Sequence, residues 1–171
     1  FRVFTINDRD FPDPKRMNKY LHDNGFHSVY MIDPGVKVDD NYFVYKTGKE
    51  QNAFVCDIYR NEFHGKVWPG ACAFPDFTRP ETRTWWSGLY KDFMANGIDG
   101  IWNDMNEPSV FDAPGGTMPE NNIHLGGGNL PIGSHLMYHN AYGRLMVEAS
   151  YNGMMAANPG KRPFLLSRSN I

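Results

Sequence analysis

The sequence has little that would staple a small scaffold together and nothing long enough to cross a bilayer. Only two cysteines, Cys56 and Cys72, occur in 171 residues, too few for a disulfide framework. Whether they pair stays open, and the redox compartment with it. No apolar run approaches the roughly 20 residues of a membrane helix. Neither sign of charge dominates: 17 Lys and Arg stand against 19 Asp and Glu. The basic residues are scattered, which excludes the electrostatic footprint of a nucleic-acid binder. No His-Glu-x-x-His or similar ligand spacing marks a metal, and no cofactor is expected. There is no Asn-x-Ser/Thr sequon, no internal repeat and no low-complexity tract. Gly126-Gly127-Gly128 lacks the phosphate-binding pattern. What is present is a globular composition, 41% hydrophobic and 15% aromatic, which excludes a disordered chain. The first residues, Phe1-Arg2-Val3-Phe4-Thr5, start in mid-pattern, and the last, Leu165 to Ile171, carry no tail. Both ends read as cuts through a larger domain.

Three blocks repeat one order of helix, stop signal, apolar strand and loop. The first helix is predicted from about Pro14 to Asn24, with Asp13 as N-cap and Pro14 in the first turn. Met17, Tyr20 and Leu21 form its stripe, and Gly25 stops it. Phe26 to Asp33 follows as a strand. The second helix begins after Arg79-Pro80 and carries Trp85, Trp86, Leu89, Tyr90, Phe93 and Met94 on one broad face. Gly97 ends it, and Ile98 to Met105 is the next strand. The third helix spans about Leu136 to Ala157, with Tyr138, Tyr142, Leu145, Met146 and Ala149 on one side. Arg162 to Ser169 is the third strand. This alternation predicts parallel βαβ units. Long loops, Pro34 to Arg79 and Glu107 to about His135, follow strand C-termini, where a (β/α)8 TIM barrel carries its active site. The expected fold is therefore α/β, a partial (β/α)8 barrel of about three units. A small open sheet, complete in itself, is the alternative.

Alternation along a strand assigns faces. Trp102 and Asp104 share one face of the second strand, Met31 and Asp33 one face of the first, and Leu166 and Arg168 one face of the third. Each strand thus ends on a charge: Asp33, Asp104 or Arg168. The densest stretch is Trp102-Asn103-Asp104-Met105-Asn106-Glu107-Pro108. Asp104 and Glu107 could be an acid/base pair, or one could be a nucleophile. A carboxylate nucleophile suits glycoside chemistry, where an oxocarbenium-like centre is stabilised and trapped. A nearby Arg168 favours its ionised form, and Trp102 offers a flat wall for a sugar ring. In the plainer reading Trp102 is core and Asp104 caps a turn.

Trp102 through Phe111 resembles the nucleophile signature of glycoside hydrolase family 31 in its α-glucosidase form. Met31-Ile32-Asp33-Pro34-Gly35, Val67-Trp68-Pro69-Gly70, Phe74-Pro75-Asp76-Phe77, His139-Asn140-Ala141-Tyr142-Gly143 and Leu166-Ser167-Arg168-Ser169 fall in the family's order. The resemblance implies that residues 1–171 are the central part of a (β/α)8 catalytic domain with flanking β domains. It implies Asp104 as the nucleophile of a retaining, exo-acting enzyme on oligosaccharides ending in α-linked glucose. Trp102 and Met105 would lie beside it in the −1 sugar subsite, with Trp68 as the aromatic wall. Arg168 would hydrogen-bond the sugar, and Ile32 or Asp33 would contribute from the first strand. Glu107 would support these groups from behind, and His139 and Asn140 would join a buried helix-to-loop network. The family's general acid would lie on a later strand, past Ile171, so the chain alone is expected to be inactive and poorly stable. A transglucosylase using the same nucleophile, a catalytically silent carbohydrate-binding domain and a metal-using α/β domain are the competing readings.

Overall fold

The first helix begins where the sequence supplies a start signal. In the computed structural model, which describes residues 1–169, helix α1 runs Pro14–Asp23 and the Asp13 carboxylate accepts from the Arg16 N–H at 2.9 Å. That bond satisfies one of the orphan donors of the first turn. The expected Met17–Tyr20–Leu21 stripe is not the buried face. Tyr20 is exposed, and Asn18 is the residue that becomes fully buried. Its amide donates to the Asn96 carbonyl at 2.7 Å, beyond the end of the next long helix. A polar anchor therefore sets the rotation of α1 in place of an apolar seam.

Strand β1 (Val29–Ile32) is followed by β2 (Val36–Lys37), helix α2 (Phe43–Glu50), β3 (His64–Val67) and β4 (Gly70–Ala73). The stretch expected as one long loop is thus a small subdomain, an antiparallel sheet in the order β2-β4-β3 with a helix beside it. Helix α3 (Pro80–Met94) leads to β5 (Gly100–Asn103). A short hairpin, β6 (Ile123–His124) and β7 (Gly133–Ser134), precedes helix α4 (His135–Ala157) and strand β8 (Phe164–Ser167). The three expected strands are all present, each trimmed to four residues.

Strands β1, β5 and β8 form one parallel sheet in that order, with Ile32, Asn103 and Ser167 level across it. Parallel neighbours joined through α3 and α4 are the βαβ units that the alternation predicts. The stripes of α3 and α4 bury as expected: Trp86, Tyr90, Tyr142, Met146 and Ala149 are all sealed in one core with Ile32 and Ile101. Phe4 enters this core edge-on to Trp86 and Tyr90, with ring centroids 5.0 Å away in each case. Such edge-to-face packing adds roughly 0.5–1.5 kcal/mol per pair beyond area burial. The opposite face of the sheet is uncovered. Val29, Met31, Trp102, Phe164 and Leu166 all stand exposed on it. This one-sided packing is a three-stranded arc of a barrel, its inner face open.

Candidate active site

The inner face carries the charges at its upper rim. The ladder continues one residue past the strands, with Asp104 N–H donating to the Ile32 carbonyl at 3.3 Å and Arg168 N–H to the Asn103 carbonyl at 3.0 Å. Asp33, Asp104 and Arg168 therefore lie in one row, directly above Met31, Trp102 and Leu166. Side-chain alternation sends all three charges to the open side.

Arg168 is held in place by Glu107. Its Nε donates to Glu107 Oε1 at 2.8 Å and its Nη2 to Glu107 Oε2 at 2.7 Å. This is a bidentate fork, the strong geometry for guanidinium and carboxylate. The Ser109 hydroxyl joins it, donating to Glu107 Oε2 at 2.8 Å and accepting from Arg168 Nη2 at 3.1 Å. The Arg168 hydrogen bonds hold the Glu107 carboxyl below its usual range, against the opposing effect of burial. The fork brings Arg168 Nε to 3.2 Å from Asp104 Oδ1. That is a contact of charges, because the N–H points at Glu107. Asp104 Oδ1 accepts no hydrogen bond among the described residues.

The turn after β5 is fixed from both sides. Met105 adopts a left-handed φ of 55° and is buried; a non-glycine residue there costs on the order of 1–3 kcal/mol and persists only when its surroundings hold it. Asn106 supplies that hold. Fully buried, it donates to Ser167 Oγ at 2.9 Å and accepts from Ser169 N–H at 3.1 Å. Helix α4 presses on the same turn at Gly143, where an added Cβ would lie 2.5 Å from Ser169 Oγ and 2.8 Å from the Asn106 carbonyl oxygen.

Trp68 sits on the turn between β3 and β4 and is 54% exposed. Lys37 Nζ donates to the Pro69 carbonyl at 3.0 Å, and Phe111 meets the Trp68 ring edge-on at 5.0 Å between centroids. The Phe111 N–H donates to the Lys66 carbonyl at 2.8 Å, tying this hairpin to the segment that follows Asp104. A cavity of about 360 Å³ lies between Trp68, Met31, Asp33, Gly35 and Arg2. Gly35 permits the close approach, since a Cβ there would stand 2.6 Å from Val67 Cγ2. Asp33 is partly enclosed as a result. Burial, then the like charge of Asp104, push its carboxyl up to about 6; Glu107 adds to this and Arg168 opposes it.

The structure brings together Asp33, Trp102, Asp104, Met105, Glu107 and Arg168, with Trp68 facing Asp33 across the cavity. It separates Ile32 from them. Ile32 is 1% exposed and packs in the helix-side core, because it is level with Asn103 on the opposite face from Trp102. Met31 is the residue of β1 that reaches the cavity, and parity alone could have selected it. His139 is elsewhere. It ends a chain in which His139 Nδ1 meets His135 Nε2 at 3.0 Å, His135 Nδ1 meets His124 Nε2 at 3.0 Å, and His124 Nδ1 meets Asp76 Oδ1 at 2.8 Å. The expected helix-to-loop network is thus present for His139, while Asn140 is exposed and outside it. Asn106, Ser109 and Asp76 are the functional or supporting residues that sequence reasoning passed over. Among the described residues no three His, Cys, Asp or Glu side chains converge to hold a metal ion, and no helix is long and apolar enough to cross a membrane.

Known proteins resemble this chain in sequence and fold. Alpha-glucosidase 2 of Bacillus thermoamyloliquefaciens is 44% identical over 171 residues, which are 100% of this chain and 21% of the relative. A family 31 alpha-glucosidase from Bacteroides thetaiotaomicron superposes with a TM-score of 0.81 at 53% identity, covering 99% of this chain and 26% of that one. The ER glucosidase II heterodimeric complex gives a TM-score of 0.88 at 38% identity, covering 98% of this chain and 18% of that one. The chain therefore spans about a fifth of the length of the curated relative. Residues 1–171 match the family described as the glycosyl hydrolases family 31 TIM-barrel domain, and the chain belongs to that family.

Proposed function

We propose that this chain is the nucleophile-bearing central part of the catalytic barrel of a retaining α-glucosidase that removes terminal α-linked glucose from oligosaccharides. The observation that carries the reading is Asp104. It stands on the open face beside Trp102, with an oxygen 3.2 Å from a guanidinium that another carboxylate already holds. Asp104 is the group to attack the anomeric carbon, giving a glycosyl ester and expelling the leaving oxygen. An acid from the rest of the barrel protonates that oxygen and then, as base, activates the water that releases glucose. Glu107 does not suit the acid role, since Arg168 holds it ionised. Trp102, Met105 and Trp68 shape the −1 subsite, with Met31 taking the place expected for Ile32. Arg168 and Asp33 supply polar contacts to the sugar.

The test uses the full-length enzyme carrying this segment. A fluorinated, mechanism-based α-glucosyl inhibitor should leave its sugar on Asp104, as read by peptide mass spectrometry. Aryl α-glucoside should be hydrolysed in preference to aryl α-xyloside and α-galactoside. Labelling on Glu107 would overturn the assignment. Residues 1–171 alone should show no turnover, because leaving-group protonation by a positioned acid is worth roughly 10²–10⁴-fold.

A further inference from the structure

We propose that Asp33 is a positioning residue that, in mildly acidic solution, stands beside the nucleophile as a neutral, proton-bearing carboxyl, so that Asp104 and Glu107, both against the Arg168 guanidinium, are the negative charges of the site. The inference rests on the reading of Asp104 as nucleophile and goes beyond it by assigning a protonation state and a role to its neighbour.

Charge and donor accounting at the rim leads there. Three carboxylates, Asp33, Asp104 and Glu107, surround one cation, Arg168. The Arg168 fork is committed to Glu107 by two short hydrogen bonds and reaches Asp104 only through its Nε at 3.2 Å. Asp33 Oδ1 is buried and has no hydrogen-bond partner among the described residues. Its place in the row puts it next to Asp104 on adjacent strands, roughly 4.8 Å apart along the hydrogen-bonding direction. An ionised carboxylate in that position would be desolvated, undonated and next to a like charge, and each condition favours the proton. The carboxyl midpoint, raised to about 6, agrees. The remaining groups that face Asp33 do not reverse this. Burial raises the thiol of Cys72 on β4, Lys37 lowers it, and Asp33 lies close enough to add to the rise. Arg2 lines the same cavity with its guanidinium drawn to Asp39.

A neutral Asp33 has a hydrogen to donate, which neither Asp104 nor Glu107 has. It can donate to the free Asp104 oxygen or to a sugar hydroxyl in the Trp68 cavity, holding the nucleophile or the ring in register for attack. It is not placed to be the leaving-group acid. The two carboxyls of a retaining enzyme flank the scissile bond, whereas Asp33 and Asp104 project side by side from one face of one sheet.

The test is pH-difference infrared spectroscopy of the full-length enzyme beside Asp33→Asn and Asp104→Asn. A protonated-carboxyl band should disappear with a midpoint near the value given above, and it should be missing in Asp33→Asn. In Asp104→Asn the midpoint should move to lower pH, because the like charge is gone; this arm stands even if Asp33→Asn does not fold. In the wild-type enzyme kcat/KM should fall about 2–10-fold as pH rises through that midpoint, the worth of one hydrogen bond, and Asp33→Asn should lack this limb. The proposal is overturned by a band that persists in Asp33→Asn, by a midpoint unmoved in Asp104→Asn, or by a wild-type carboxyl that stays ionised because another part of the barrel donates to it. Failure of the nucleophile reading shows separately, as inhibitor attached to a residue other than Asp104.

Discussion

Two carboxylates of low exposure, Asp76 and Asp104, are treated in opposite ways. Asp76 is wholly buried and wholly satisfied. It accepts from His124 Nδ1 at 2.8 Å, the Thr78 hydroxyl at 2.6 Å and the Leu125 N–H at 2.6 Å. Burial alone would raise its carboxyl, but these donors bring it below the usual range. Asp104 is nearly as buried, yet one of its oxygens accepts no hydrogen bond. Asp76 ties the turn before α3 to the β6–β7 hairpin and, through His124 and His135, to α4. His135 is pushed down to about 3 by its burial, then by its histidine neighbours, so this chain stays uncharged at its centre. Asp76, which holds structure, spends its lone pairs. Asp104, the proposed nucleophile, keeps an oxygen uncommitted, and the protein carries the cost.

That contrast is breakable by substitution in the full-length enzyme. The largest effect should come from Asp104→Asn, which should lower turnover by on the order of 10⁴-fold while the melting temperature holds or rises. A melting temperature that collapses would make Asp104 a structural residue like Asp76. Next is Asp76→Ala, which strands His124 and two backbone donors in the core. Losing one partner of a buried pair costs about 3–5 kcal/mol, read by denaturant unfolding, with KM for aryl α-glucoside unchanged in the folded fraction. Ile32→Val should cost about 0.5–1.5 kcal/mol of stability and leave KM alone. A raised KM would return Ile32 to the subsite and remove it from the core.

Arg168→Ala should have the smallest effect on stability, because the Arg168–Glu107 pair is partly solvated. Such pairs contribute roughly 0.2–1 kcal/mol. The sign with pH follows from Glu107. Its folded pKa is lowered, so its stabilisation is present above its unfolded value of 4.5 and is lost as pH falls through the folded one. Arg168→Ala should therefore flatten the dependence of melting temperature on pH below that point. In the proposed site it should also lower kcat/KM for aryl α-glucoside, since a polar contact to the sugar is removed. An unchanged kcat/KM would take Arg168 out of the substrate's reach.

Much of this arrangement was legible in the chain. Strand parity is local, so Trp102, Asp104, Asp33 and Arg168 could be placed on one face without knowing any contact. The stripes of α3 and α4 were equally plain, because fifteen and twenty-three residues give a helical period room to show. Strands β2, β3 and β4 are short and lack an apolar run like Val29–Ile32, β3 reading His-Gly-Lys-Val and β4 Gly-Ala-Cys-Ala, which hid them inside an expected loop. Of the two positions expected from the first strand, Asp33 lies at the cavity and Ile32 in the core, because one position inverts a strand residue between the two faces. The roles of Asn106 and Asp76 were hidden for another reason. Each is made by a partner dozens of residues away, Ser167 for Asn106 and His124 for Asp76, and no spacing within the sequence announces them.

Gly143 carries a consequence for anyone wishing to adjust the enzyme. Helical propensity favours alanine there by about 1 kcal/mol, yet the position admits no side chain. It acts as a shim of zero thickness between α4 and the turn that presents Asp104. A single methyl group would wedge the two apart by a fraction of an ångström, without touching the sugar, the nucleophile or any charge. Reactive groups misplaced by about 1 Å can slow an enzyme on the order of 10²-fold. The first half of α4, on the helix side of the sheet, is thus a dial on the proposed chemistry, and glycine is its innermost setting.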